Sequence, residues 1–194
     1  MIFCPIWKVY YVEIPRTGSA SVAWYLDTNL GIMKGPDPHQ PISRCPVCLT
    51  DYTVIATIRD PFERMVSMWS LAAKGMRGIK RQWTEFPDFV RSVTSQPEEE
   101  RDYWIHPQTY FLKNPPPFTP DIIFLRTSHL WEDLKERFPL YSPDHQMQAM
   151  NQSRNRPKPW YDYYDEDPDL KDLVAEWAID DLVLYDTVVG DNRE

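Results

Sequence analysis

Hydroxyl and cationic side chains crowd one short segment near the start of the chain, PRTGSAS at Pro15–Ser21. The segment separates an apolar run from a helix-like stretch, and the N-terminus of a helix exposes unpaired N–H groups with a partial positive charge. Hydroxyl donors, a glycine that admits a ligand close to the backbone, and the donor fork of an arginine all suit a phosphate. An anion site is therefore predicted over six residues: Arg16, Thr17, Gly18, Ser19, Ala20 and Ser21. In the alternative interpretation, Ser19 only caps the helix and Arg16 lies at the surface.

A second joint of this kind reads RDPFERMVS, Arg59–Ser67. Arg59 ends an apolar run, and Asp60 followed by Pro61 is typical of a helix start. Ser67 falls in the second turn of that helix, about 9 Å along its axis from Pro61. An arginine and a serine placed in this way can hold one anion from two sides. The alternative is that Arg59 pairs with a neighbouring carboxylate and that Ser67 is merely a small helix residue.

The elements that must position these residues alternate between strands and helices. Strands are predicted over Ile6–Ile14, Tyr52–Arg59 and Asp121–Arg126. Helices are predicted over Ser19–Gly31, Asp60–Gly75, Ser128–Phe138 and Asp167–Asp186. Strand followed by helix, three times over, predicts an α/β fold with a parallel sheet. Ligands bind such sheets at the carboxyl ends of the strands, where both joints are expected to lie.

Composition and charge exclude several classes of protein. The chain has 194 residues and is expected to form a single domain over residues 1–194. Its net charge of -8 argues against nucleic acid and against an anionic membrane surface as partners. The three cysteines favour a reducing compartment, and neither a secretory leader nor a membrane-spanning run is recognised. A soluble cytoplasmic protein is therefore expected, with its oligomeric state left open.

Cys45 and Cys48 have the spacing of half a zinc site. A second half is missing, although Cys4 and His39 could contribute ligands. A lone pair of cysteines at this spacing is a weak signal for zinc, so no metal site is predicted.

Together, PRTGSAS and RDPFERMVS resemble the cofactor-binding signature of the sulfotransferases that use 3'-phosphoadenosine 5'-phosphosulfate (PAPS). The first motif is similar to the loop Pro-Lys-Thr-Gly-Ser/Thr-Thr-Ser of that family, and the second to its Arg-Asn/Asp-Pro-x-x-Arg-x-x-Ser. Weaker likenesses follow in family order at HPQTYFL, at DIIFLRTSHLWEDLKERF and at the segment that begins NQSRNRPKPWYDYY. The resemblance therefore covers most of the chain, and it is closest to small carbohydrate-type members.

The resemblance implies a P-loop-like three-layer fold, with a central parallel sheet flanked by helices. It implies transfer of a sulfuryl group from PAPS to an acceptor hydroxyl, on a glycan or a small molecule, with 3'-phosphoadenosine 5'-phosphate (PAP) as the product and no metal required. The first loop would bind the 5'-phosphosulfate, and Arg59 with Ser67 would bind the 3'-phosphate. A late basic loop would add Arg154 or Arg156 at the 3'-phosphate; the alternative is a solvated basic turn.

Two residues are predicted to be catalytic. Arg16 stands where the family has lysine; it can stabilise charge on the leaving phosphate oxygen but cannot donate a proton. His39 is predicted to be the base that takes the proton of the acceptor hydroxyl, since related members carry a histidine between the two motifs and neutral imidazole suits this role. Weaker candidates for the base are His106, His129 and Glu13, and a surface histidine is the alternative for His39.

Two other functions stay open at this point. A P-loop-type nucleotide kinase is disfavoured because no Gly-Lys-Ser/Thr follows the first strand. A catalytically silent nucleotide-binding module stays open because Arg16 and Ala20 both depart from the family pattern.

Overall fold

The computed structural model describes residues 2–35, 38–75, 83–137 and 157–190. As far as they are described, these residues pack as two compact units, one from Met1–Arg59 with Gln108–Gln152 and the other from Asp60–Pro107 with Ser153–Glu194. A single domain over residues 1–194 stays a prediction.

Strands and helices alternate along much of the chain. The strands are β1 Ile2–Cys4, β2 Val9–Val12, β3 Met33–Lys34, β4 Thr53–Ile58 and β5 Ile122–Arg126. The helices are α1 Ser19–Leu30, α2 Pro61–Lys74, α3 Phe86–Ser95, α4 Leu130–Arg137, α5 Asp169–Trp177 and α6 Ile179–Gly190. The α/β class is therefore confirmed.

The first unit is built on a five-stranded sheet in the order β3-β1-β2-β4-β5. The pairs β2–β4 and β4–β5 are parallel, whereas β1 runs antiparallel to both β2 and β3. The predicted parallel pairing holds for three strands, and the sheet as a whole is mixed.

The predicted first strand, Ile6–Ile14, is wrong at its beginning. The chain turns at residues 5–8, where Lys8 has a φ of 52°, and Cys4 pairs with Val9 across the turn. Ile6 and Trp7 are consequently exposed at the tip of a hairpin. Their apolar side chains extended the apparent strand, although Pro5 is a residue that favours turns.

Each face of this sheet carries its own apolar cluster because side chains alternate along a strand. Val9 and Tyr11 face a cluster completed by Leu26 of α1 and Leu134 of α4. Tyr10 and Val12 face the other way, where short 3-10 turns at Ile42–Arg44 and Gln108–Leu112 cover the sheet. The first unit therefore has α-helices on one face and 3-10 turns on the other.

In the second unit, the start of α2 follows its local signals. The Asp60 side chain accepts a hydrogen bond from the backbone N–H of Glu63 at 2.9 Å, and Pro61 occupies the first turn. Gly75 ends the helix with a φ of 64°. The predicted cap is therefore confirmed.

The predicted single C-terminal helix, Asp167–Asp186, is wrong. Two helices replace it, because Ala178 leaves helical geometry at φ −114° and ψ 28°. The joint contains neither glycine nor proline, so the sequence gives no local signal for the break. Ala178 itself is buried, and the break is therefore part of the packing of the second unit.

Within the part of the chain that the structure describes, every helix is too short or too polar to cross a bilayer.

Candidate functional site

The loop between β2 and α1 contains two residues in the left-handed region. Arg16 has a φ of 67° and Gly18 a φ of 79°. A Cβ atom at Gly18 would lie 2.7 Å from Cδ1 of Leu130, the end of a side chain that would have to shift, so the left-handed backbone is the main reason for glycine at this position. Arg16 has no such freedom, and its left-handed backbone costs about 1–2 kcal/mol. Strain of this kind is retained where the surrounding structure enforces it, commonly at functional sites.

The buried hydroxyl groups of Thr17, Thr57 and Tyr11 hold the loop in place through a chain of hydrogen bonds. Thr17 Oγ1 donates to the carbonyl oxygen of Ile14 at 2.8 Å, and it lies 2.5 Å from Thr57 Oγ1, which lies 2.9 Å from the hydroxyl of Tyr11. Each hydroxyl has one proton, so Thr57 must donate to Thr17 and Tyr11 must donate to Thr57. Burial raises the pKa of Tyr11 well above its ordinary value, which keeps this first donor neutral.

This direction of hydrogen bonding changes the role predicted for Thr17. The proton of its hydroxyl is committed to Ile14, and the side chain is fully buried. The donor in any contact of Thr17 with a phosphate must therefore be its backbone N–H.

Thr127, directly after β5, fastens the same loop from the side. Its hydroxyl lies 2.8 Å from the carbonyl oxygen of Thr17 and 2.8 Å from that of Ile58. One side chain thus joins the loop to the end of β4. Sequence reasoning missed this residue; the available signal was a threonine at the carboxyl end of a predicted strand.

The N-terminus of α1 is open to an anion in chemical terms. Gly18 is its cap and provides no side-chain hydrogen bond, so the prediction that Ser19 caps the helix is wrong. The first turn of α1 contains no acidic residue, and Ser19 and Ser21 are buried while Ala20 is half-buried. The positive end of α1 therefore has neither a side-chain cap nor a carboxylate within its own first turn.

Arg59 lies against the loop, as the meeting of the two strand ends predicts. Its Nη1 donates to the carbonyl oxygen of Arg16 at 3.2 Å. Its backbone is held by Gln108, whose side-chain amide accepts from the Arg59 N–H at 2.9 Å and donates to the Arg59 carbonyl at 2.9 Å. The structure thus brings a second guanidinium group to the loop that carries Arg16.

His39 reaches the start of the same loop. Its Nδ1 lies 2.7 Å from the carbonyl oxygen of Glu13, the residue that follows β2. A carbonyl can only accept, so Nδ1 carries the proton and the neutral ring has an unprotonated Nε2. This is the tautomer that a base requires. The backbone of His39 is left-handed, with a φ of 58°.

The structure also describes Ser67, His106 and His129. Ser67 is fully buried on α2 in the second unit, and Arg154 and Arg156 lie outside the described residues. His106 is also buried in the second unit, where burial and then the charge of Arg101 lower its pKa. His129 is exposed, with its Nδ1 2.8 Å from the hydroxyl of Ser128.

A third arginine at a strand end has a structural partner. Arg126 ends β5, and its guanidinium group forms hydrogen bonds to both carboxylate oxygens of Asp133, which is fully buried on α4. The same carboxylate accepts from the Arg126 backbone N–H at 2.6 Å. This charge pair joins β5 to α4, and much of the Arg126 charge is therefore balanced within the fold.

The paired cysteines do not gather other metal ligands. Among residues 2–35, 38–75, 83–137 and 157–190, no group of three His, Cys, Asp or Glu side chains is placed to hold a metal. Cys45 is half-buried and Cys48 is exposed; hydrogen bonds with Thr50 lower the pKa of the Cys48 thiol.

Fold and site together define an α/β protein with a tightly built loop at the carboxyl end of a parallel strand pair. A scan against protein-family models, a search of curated proteins and a search of solved structures each found no match. The motifs and the geometry of the loop are therefore the basis for assigning a function.

Proposed function

We propose that this protein is a PAPS-dependent sulfotransferase with a P-loop-like three-layer fold, acting on a hydroxyl group of a glycan or a small molecule. The observation that carries the proposal is the contact between the two motifs. The Arg59 guanidinium donates to Arg16 within the glycine-containing loop, at a helix end that has no side-chain cap. Two guanidinium groups and an open helix N-terminus favour a ligand with more than one anionic group.

The donor would be bound through both motifs. The backbone N–H groups at the start of α1, with Arg16, would take the 5'-phosphosulfate. Arg59 would take the 3'-phosphate. A contact of Ser67 with that phosphate stays a prediction from the family resemblance alone. Arg154 and Arg156 lie outside the described residues and stay part of the proposal on resemblance alone.

The transfer would follow from these placements. Nε2 of His39 takes the proton of the acceptor hydroxyl as its oxygen attacks sulfur. The bond from sulfur to the bridging phosphate oxygen breaks, and its electron pair stays on that oxygen, which becomes part of PAP. Arg16 stabilises the developing negative charge without giving up a proton. The protein mainly positions reactants and stabilises charge, by analogy with in-line phosphoryl transfer.

Calorimetric titration with PAP tests the proposal. The wild type should bind PAP, and Arg59→Ala should weaken binding by about 10- to 100-fold because a charge-assisted contact to phosphate is lost. Arg44→Ala is the matched control, since Arg44 is exposed in the same unit. Failure of the wild type to bind PAP would overturn the proposal.

Two other results would favour a different function. Binding of ATP with Mg²⁺ but not PAP would favour a nucleotide kinase. Binding of PAP without sulfuryl transfer from PAPS to any of a panel of oligosaccharide and small hydroxyl acceptors would favour a silent nucleotide-binding module.

A further inference from the structure

Gln108 has an unusual position for a polar side chain. It is only 1% exposed, and it begins the 3-10 turn Gln108–Leu112 of the first unit. Its amide forms hydrogen bonds of 2.9 Å to the backbone N–H and to the backbone carbonyl of Arg59, which is 49 residues away in the chain. The amide oxygen accepts from the Arg59 N–H, and the amide nitrogen donates to the Arg59 carbonyl.

This arrangement continues the sheet by one residue. The parallel register of β4 with β5 ends at Ile58, which pairs with Arg126. Arg59 is the next residue, and a single side chain provides it with the donor and the acceptor that a neighbouring strand would provide. The backbone of Arg59 is thereby fixed at the point where its guanidinium group reaches the carbonyl of Arg16.

We infer that Gln108 is the positioning residue for the arginine that binds the 3'-phosphate of PAPS. The inference rests on the proposed function for the identity of the ligand. Gln108 itself touches neither phosphate nor sulfate; it holds the backbone from which the Arg59 side chain extends. A neutral amide meets this requirement because it has a donor and an acceptor in one plane without adding a charge beside the guanidinium group.

Two substitutions separate positioning from simple packing. Gln108→Met keeps the length of the side chain and removes both hydrogen bonds, so PAP affinity should fall by about 3- to 30-fold at every pH. Gln108→Glu keeps the shape, and when protonated it has one donor and one acceptor, as the amide has. When ionised it only accepts, and it places a negative charge near Arg59.

The expected signature is a ratio of variant to wild-type PAP affinity that depends on pH for Gln108→Glu and not for Gln108→Met. Burial raises the pKa of a carboxyl group and the nearby Arg59 guanidinium lowers it, so Glu at position 108 should become protonated as the pH falls. Calorimetry with PAP at pH 8 should show Gln108→Glu at least about 10-fold weaker than wild type. Lowering the pH from 8 to 5 should move this ratio toward one, whereas the Gln108→Met ratio should not change. Taking ratios to wild type cancels the titration of PAP itself.

A double-substitution cycle supplies the second readout. If Gln108 acts through Arg59, then Gln108→Met should change PAP affinity less than about 2-fold in an Arg59→Ala background. Equal losses in both backgrounds would overturn the inference, as would wild-type affinity in both Gln108 variants. In turnover assays KM for PAPS should rise while kcat changes little, because the 3'-phosphate does not react.

The experiment distinguishes the two levels of the argument. Absence of PAP binding by the wild type contradicts the proposed function and, with it, this inference. Wild-type PAP binding that is insensitive to Gln108 contradicts the inference alone. Melting curves of each variant verify folding, and if Gln108→Met does not fold, the pH-dependent ratio of Gln108→Glu decides.

Discussion

The most specific prediction about stability concerns the hydrogen-bonded hydroxyl groups of Tyr11, Thr57 and Thr17. Thr57→Val keeps the shape of the side chain and removes the one oxygen that accepts from Tyr11 and donates to Thr17. The Tyr11 hydroxyl is then buried without an acceptor, which costs about 1–3 kcal/mol, while Thr17 keeps its bond to Ile14. The free energy of unfolding should therefore fall by about 2–3 kcal/mol when the lost Thr57–Thr17 bond is included.

Urea denaturation of four proteins measures this effect: wild type, Thr57→Val, Tyr11→Phe and the double variant. Tyr11→Phe removes the donor that Thr57→Val leaves unsatisfied, so Thr57→Val should cost less in the Tyr11→Phe background. The two substitutions should then be non-additive by about 1–2 kcal/mol. Strictly additive losses would refute the hydrogen bond between Tyr11 and Thr57. The PAP affinity of Thr57→Val should also fall, because the loop loses an anchor.

Further predictions concern the loop, the chemistry and pH. Gly18→Ala should lower the free energy of unfolding by about 1–2 kcal/mol, with Gly190→Ala, where a Cβ would meet nothing within 4 Å, as the control measured in the same urea titrations. Arg16→Ala should lower kcat by about 100-fold or more while Arg16→Lys retains activity; unchanged turnover in Arg16→Ala would remove its catalytic role. His39→Ala should lower kcat by about 100-fold or more, and an unaltered rate would exclude His39 as the base. Because burial raises the pKa of Tyr11, the unfolded chain loses the Tyr11 proton at a lower pH than the folded chain does. The free energy of unfolding should therefore fall as pH rises above about 10. If Tyr11→Phe shows the same fall in stability, other groups are responsible for it.

The sequence predicts best those helices whose ends are set by adjacent residues. Asp60, Pro61 and Gly75 set the limits of α2 through capping geometry that depends on adjacent residues only. Gly31 ends α1 in the same way, with a φ of 59°. Arg59 was placed beside the loop because consecutive parallel strands present their carboxyl ends at one edge of the sheet.

What sequence reasoning missed depends on contacts between distant residues. Gln108 and Thr127 each bond to backbone groups far away in the chain, and nothing in their own neighbourhoods indicates which groups those are. The break at Ala178 likewise has no local cause, because alanine favours a continuous helix. The sequence places Thr17 between a strand and a helix, but the use of its hydroxyl proton depends on Thr57, 40 residues later.

The anchoring of the loop by Thr127 bears on the order in which the protein can form during synthesis. Thr127 and Thr17 are 110 residues apart in the chain, and Gln108 and Arg59 are 49 apart. Closing such long stretches costs chain entropy before any contact is gained, and contacts between distant residues slow folding. When β1, β2, α1 and β4 have left the ribosome, the nascent chain therefore still lacks Thr127 and Gln108, the side chains that fix the loop and Arg59. The capacity to bind an anion should appear late, once β5 and Thr127 have left the ribosome.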